Sequence, residues 1–194
     1  MAITLRLLII AALAAAAWWG WPRLPQAWRA PWHMARLALQ QAPVALPVPV
    51  SGIAPRQLAD TWNAARSDGR KHQGIDIFAR RGTPVLSATE GVVTRVGINS
   101  LGGKVVWVLG PGRQMHYYAH LDGYADVQPG DHVLAGTVLG YVGNTGNAIH
   151  TPPHLHYGIY APGGAINPYP LLVGMPRTTS GSPPASSSIP LPAP

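Results

Sequence analysis

Between residues 82 and 160 the apolar positions come in brief runs, each cut off by glycine. The runs 84–88, 91–97, 104–109, 114–121, 132–142 and 154–160 are rich in valine, isoleucine and tyrosine, which suit a pleated, half-buried surface. Turn signals separate them: Leu109-Gly110-Pro111-Gly112, Gln128-Pro129-Gly130-Asp131 and Gly143-Asn144-Thr145-Gly146. No window gives a convincing amphipathic helix of ten residues, and 55–65 comes nearest. The pattern predicts a mostly β fold, an antiparallel sheet core or partly closed barrel with barrel-like turns. By pattern alone, 133–140 would also suit a small carrier-type β-barrel, which is a non-enzymatic reading.

The flanks have another character. Residues 7–21 read LLIIAALAAAAWWGW behind Arg6. A short positive region followed by such a run has the form of a secretory signal. The alternative is an uncleaved hydrophobic helix: at ~1.5 Å per residue, 2–21 reaches about 30 Å if Arg6 snorkels. Trp18, Trp19 and Trp21 then sit where an interfacial belt is expected. The expected organisation is a signal peptide or membrane anchor over 1–21 and a Pro-rich spacer over 22–47. The spacer, with a short helix at 33–41, would hold the domain away from the membrane. A folded domain follows over 48–175, and a Pro/Ser tail over 176–194 buries too little surface to order itself.

Charge narrows the partners. The chain of 194 residues carries a formal +7, but the four arginines of residues 1–47, with no acidic residue among them, supply most of the excess. Residues 48–175 hold nine basic and seven acidic side chains and are nearly balanced. No basic stripe with interleaved aromatics appears, which argues against nucleic acid. The basic N-terminal stretch suits anionic lipid instead. The absence of cysteine excludes thiol nucleophiles, thiolate-bound metals and disulfides. No serine has a G-x-S-x-G setting, and the sole glutamate, Glu90, has no histidine beside it in sequence, so HExxH chemistry is excluded too.

Eight histidines carry the chemistry. His72 and Asp76 stand four apart in HQGID, with Gly74 freeing the backbone between them. His154 and His156 alternate with Leu155 and Tyr157, so a strand would turn both imidazoles to one side. His120 ends the run MHYYAH, where simple alternation puts it on a face with Tyr118 and His116. Three segments each offering metal-competent or proton-shuttling groups point to one ion. Two imidazoles and a carboxylate would hold it, with a position left for water, as a catalytic zinc requires. His33 and His132 read as solvated; His116 and His150 stay ambiguous.

The blocks GRKHQGIDIFARRGTPVLSATEGVV, GGKVVWVLG, HYYAHL, VQPGDHVLAGTVLGYVGNTGNA and TPPHLHYGIY follow one another across roughly residues 60–170. In that order they make the chain resemble the M23 (lysostaphin/LytM-type) family of peptidoglycan-cleaving zinc metallopeptidases. The resemblance implies an antiparallel β core with a substrate groove and Zn²⁺ held by His72, Asp76 and His156. It implies His120 and His154 as catalytic histidines outside the ligand set, without saying which is the base. Tyr118, sharing a face with His120, would orient it or line the groove, and Arg70 would meet a substrate carboxylate. The implied substrate is the peptidoglycan stem peptide, cut by a DD-endopeptidase-like activity in the cell envelope, on the periplasmic side of the inner membrane or in the periplasm. Residues 60–66 lack a tyrosine that some members carry, and Tyr157 replaces the more usual phenylalanine. Degenerate members act as activators of cell-wall amidases; this chain keeps all five site positions.

Overall fold

A computed structural model describes residues 25–66 and 69–174, together with residues 6, 7, 10, 15 and 19–21. The expected N-terminal hydrophobic helix lies largely outside the described residues, and the expected disordered tail wholly so. Among the described residues no helix is long and apolar enough to cross a membrane.

The nine strands among the described residues are β1 (Ile75–Phe78), β2 (Pro84–Leu86), β3 (Gly91–Asn99), β4 (Gly103–Leu109), β5 (Met115–Tyr124), β6 (His132–Val133), β7 (Val138–Val142), β8 (His154–Ala161) and β9 (Gly164–Ile166). All pairings are antiparallel, and the main path runs β1-β8-β5-β4-β3-β6. The sheet is open at its ends, so of the two expected forms it is the antiparallel sheet and not the partly closed barrel, and the short-strand reading holds. The run 132–142 divides in two because Leu134 to Thr137 form a turn: the Thr137 N–H donates to the Leu134 carbonyl at 3.0 Å, and Gly136 takes φ 89°. Strand β1 is missing from the sequence pattern because four residues are too few to show a period; its pairing with β8 makes it a strand.

Strand β5 organises the molecule. Along one edge it pairs with β4. Along the other, Met115–Ala119 pair with β8, whereas Leu121–Tyr124 pair with β7. The sheet forks at His120. The inward faces of β1, β5 and β8 build the core, with Ile75, Ile77, Tyr118, Leu121, Leu155, Tyr157 and Ile159 fully buried. Tyr118 belongs to this core and not to the groove: its hydroxyl accepts the Ala88 N–H at 2.9 Å, and burial pushes its pKa up to about 12.

His116, ambiguous in sequence, also lies in the core, with Nδ1 2.7 Å from the Tyr157 hydroxyl. Burial lowers its pKa to about 4. It folds neutral, so the unfolded chain binds the extra proton between pH 6.5 and 4, and stability falls as pH falls through that window. The expected contribution is a loss of about 3 kcal/mol, and His116→Gln should flatten this part of a denaturant midpoint–pH profile.

Helix α1 (Gln26–Leu39) is longer than the expected 33–41 and lies against the sheet. Ala30 and Leu37, with Met34 beside them, pack on Val92 of β3. Arg36 forms an ion pair with Glu90. His33 and His132, read as solvated, instead stack at 4.0 Å between centroids, because α1 folds back over the end of β3. His132 Nε2 lies 2.7 Å from Glu90 Oε1. Burial opposes ionisation of Glu90, but hydrogen bonds from His132 and Arg36 prevail and lower its pKa. The segment 55–65 supplies only a single helical turn, at Pro55–Gln57.

Candidate metal centre

The site forms on the face of β1, β8 and β5 opposite the core. Asp76 is the cross-strand partner of His156, and His156 is in turn the partner of Ala119 on β5. Alternation along β8 sends Leu155 and Tyr157 into the core and His154 and His156 to the other face, as the HLHY pattern predicts. His72 comes from the irregular stretch three residues before β1, ahead of the bend at Gly74. Its Nε2 lies 2.8 Å from His156 Nδ1 and 3.1 Å from Asp76 Oδ1, and the last two atoms are 3.2 Å apart.

Three donors converge on one point. A tetrahedral ion with metal–ligand distances of ~2.0–2.1 Å spaces its ligand atoms by about 3.3–3.4 Å, so the cluster fits a small divalent ion after an adjustment of a few tenths of an ångström. Two neutral imidazoles and a carboxylate suit zinc. Burial opposes ionisation of Asp76, but the polar surroundings made by His156, His72 and Arg66 outweigh it and hold the carboxyl well below the usual range. Burial also lowers the pKa of His156, which keeps its lone pair free for a metal.

A supporting shell around these ligands is not visible in the sequence. Thr61 holds two of them: its carbonyl lies 2.7 Å from His72 Nδ1, and its hydroxyl accepts the Asp76 N–H at 3.0 Å. The first contact makes Nδ1 the donor and leaves Nε2 facing the cluster. Arg66 pairs with Asp76 Oδ2, leaving Oδ1 toward the histidines. Neither residue lies in a recognisable motif, since both reach the site from an irregular loop. Removing such a partner typically weakens metal binding by roughly 10–100-fold, and that is the expected loss for Arg66→Ala in a competition titration against a fluorescent zinc chelator.

Gly74 is a requirement of space. A Cβ there would stand 2.6 Å from the Tyr157 carbonyl oxygen and 2.7 Å from Cε1 of His156. Gly74→Ala should displace the imidazole from the cluster and lower metal affinity about as much as losing a supporting partner, roughly 10–100-fold. The same titration checks it, with circular dichroism reporting whether the fold is retained.

His120 reaches the site by a route that simple alternation misses. On β4, Lys104 pairs with Leu121 and Val106 with Tyr118, so Ala119 and His120 together face Val105 alone. This bulge places His120 at φ 63°, an uncommon conformation for a residue with a side chain. The expected face shared with Tyr118 is therefore wrong, and the cleft is lined instead by Tyr117, Ala119 and His120. His120 Nδ1 lies 2.8 Å from the Thr145 carbonyl, and His154 Nδ1 lies 2.8 Å from the Pro152 carbonyl. In both rings Nδ1 is the donor, and Nε2 is left for other work. The two rings are 5.0 Å apart. Burial first, and then the charge of His156, lower the pKa of His120 to about 4.

The cleft above these groups has a volume of about 890 Å³. Trp107, Tyr117 and Tyr160 line it, with the Trp107 and Tyr117 rings 4.3 Å apart. Arg70 and Lys71 line it too, while His150 is exposed and belongs to no cluster found among the described residues.

Residues 70–168 match the sequence profile of Peptidase family M23. The L-Ala–D-Glu endopeptidase of Bacillus subtilis (strain 168) is 42% identical over an alignment of 124 positions that covers 58% of this chain and 38% of the relative. The DD-carboxypeptidase/endopeptidase Mpg of Neisseria meningitidis serogroup B is 36% identical over 110 residues, which are 57% of this chain and 25% of the relative. The chain thus spans well under half the length of these relatives. The catalytic domain of the antimicrobial peptidase lysostaphin from Staphylococcus simulans superposes with a TM-score of 0.53 at 28% identity, covering 60% of this chain and 92% of that domain.

Proposed function

The chain belongs to Peptidase family M23, and on that premise we propose that it is a zinc-dependent endopeptidase that hydrolyses the peptide cross-links of peptidoglycan. The observation that carries the reading is the convergence of His72 Nε2, Asp76 Oδ1 and His156 Nδ1 at the floor of a cleft that also receives His120 and His154. These three atoms would hold zinc, which when bound would supply Lewis acidity, making water a stronger acid and polarising a scissile carbonyl.

The remaining steps fall to the chain itself. His120, kept neutral by burial, takes a proton from the attacking water at Nε2 and returns it to the leaving amine. The imidazolium form of His154, whose Nδ1 is held by the Pro152 carbonyl and whose Nε2 lies 3.8 Å from Asp76 Oδ1, donates a hydrogen bond from Nε2 to the developing oxyanion. The aromatic wall of Trp107, Tyr117 and Tyr160 seats the apolar parts of the stem peptide, and Arg70 and Lys71 attract its carboxylates. The run 7–21 enters the membrane, which places the domain in the cell envelope on the periplasmic side of the inner membrane. The amidase-activator reading has no support in this geometry, since all five groups stand together.

The test is mass analysis of cross-linked muropeptides after incubation with the purified protein, with and without a chelator. Cleavage at the D-alanyl cross-link that disappears on chelation and returns with zinc is the expected result. Cleavage only between L-alanine and D-glutamate would relocate the bond, and chelator-insensitive cleavage would refute the metal mechanism.

A further inference from the structure

Helix α1 is apolar on two sides. Its inner side, Ala30, Met34 and Leu37, is seated on β3. Its outer side carries Trp28, Pro31, Trp32, Ala35 and Leu39, all exposed, with Leu39 at 90%, Trp28 at 74% and Trp32 at 51%. The spacing of three, four, seven and eleven residues from Trp28 draws one stripe along the helix. A solvated surface helix would carry polar side chains there. The flanks are basic or neutral: Arg29, His33 and Arg36 border the stripe, and residues 1–47 contain no aspartate or glutamate.

We propose that this outer side of α1 lies in the surface of an anionic bilayer and holds the peptidase domain flat against it, in place of the expected stand-off spacer. Three observations choose lipid as the occupant. Tryptophan and leucine on one side with arginine at the edges is the pattern of an interfacial helix, whose apolar side sinks ~5–10 Å into the headgroup boundary. Arg6, Arg23 and Arg29, with no acidic residue in the same stretch, complement anionic headgroups, whereas Arg36 is paired with Glu90. Only residues 22–24 separate Trp21, at the end of the apolar run, from Pro25 at the start of the helix. Four residue steps reach no further than ~14 Å, so whatever depth the run occupies, α1 begins close to it. Consistent with that continuity, the Trp21 and Trp32 rings meet at 5.3 Å.

The inference rests on the proposed membrane entry of the run 7–21, and the experiment separates the two.

The chain has no cysteine, so single cysteines can be introduced and spin-labelled in the full protein. Ile10→Cys reports the run, Ala35→Cys and Leu39→Cys the stripe, and Ile98→Cys the cleft end of β3. The proteins are reconstituted in vesicles of phosphatidylethanolamine and phosphatidylglycerol. Collisions with oxygen, which enters lipid, are compared with collisions with a water-soluble nickel chelate. The expected result is an oxygen-to-nickel ratio several-fold higher at 10, 35 and 39 than at 98. Adding Trp28→Glu and Trp32→Glu should return 35 and 39 to water while leaving 10 immersed. If 35 and 39 are as wet as 98 while 10 is immersed, the run is in lipid and the seating of α1 is refuted. If 10 is wet as well, both fail. Shielding of 35 and 39 from both reagents, unchanged when lipid is replaced by detergent, would show a second copy covering the stripe and overturn the proposal.

Discussion

Replacing Asp76 with alanine is expected to empty the metal centre and abolish hydrolysis of cross-linked muropeptides. Asp76 is the one charged donor of the three, and its Oδ1 lies within 3.2 Å of both His72 Nε2 and His156 Nδ1. Without it two neutral imidazoles remain, and a divalent ion loses its only compensating charge. Zinc measured by atomic emission should fall from about one ion per chain, the stoichiometry of a mononuclear site, to background. Activity should fall by far more than the ~10–100-fold that a supporting partner is worth. Chelation of the unaltered protein should give the same loss, reversed by zinc. His150→Ala, at an exposed histidine outside the cluster, should change neither quantity. An Asp76→Ala protein that keeps both its metal and its turnover would refute the ligand set.

The second large effect separates chemistry from metal binding. His120→Ala and His154→Ala should each lower kcat by roughly 10²–10⁴, the range for a positioned proton-transfer group, with metal content unchanged. The double variant should be little worse than the poorer single one, because groups that serve one transition state do not add. The pH profiles should differ as well. His120 is neutral down to a pKa of about 4, so it supplies its lone pair throughout the neutral range, and the acidic limb of kcat/KM should move when it is removed. Loss of zinc from either single variant would move that residue into the ligand set, and full retained activity would end its catalytic assignment.

Much of this site is legible in the residues, because it depends on local periodicity. His154 and His156 share a face for no reason beyond the two-residue repeat of a strand, and Leu155 and Tyr157 go to the core by the same rule. His72 and Asp76 converge because Gly74 leaves room for His156 between their backbones. Where local rules fail, a long-range contact has intervened. Alternation places His120 with Tyr118, yet a bulge against Val105, at the point where β5 exchanges β8 for β7, turns it into the cleft. Thr61 and Arg66 hold the ligands from a loop with no periodicity to read. The full length of α1 was hidden for another reason: Pro31 lies inside it and reads as a break, and only the packing of Leu37 on Val92 shows which side faces the domain.

The order and spacing of its blocks alone carried the chemistry proposed for this chain: short strands, three imidazole-bearing segments, one carboxylate and no thiol. These are properties of residue type and of repeats two to four residues long, which act within a segment whatever the rest of the chain does. Only the tertiary structure decided that the sheet stays open, that β1 brings Asp76 opposite His156 across eighty residues of sequence, and that His120 faces the cleft. Each of those outcomes is a contest among distant partners for the same backbone hydrogen bonds and the same buried volume, and no short window of sequence contains both contestants.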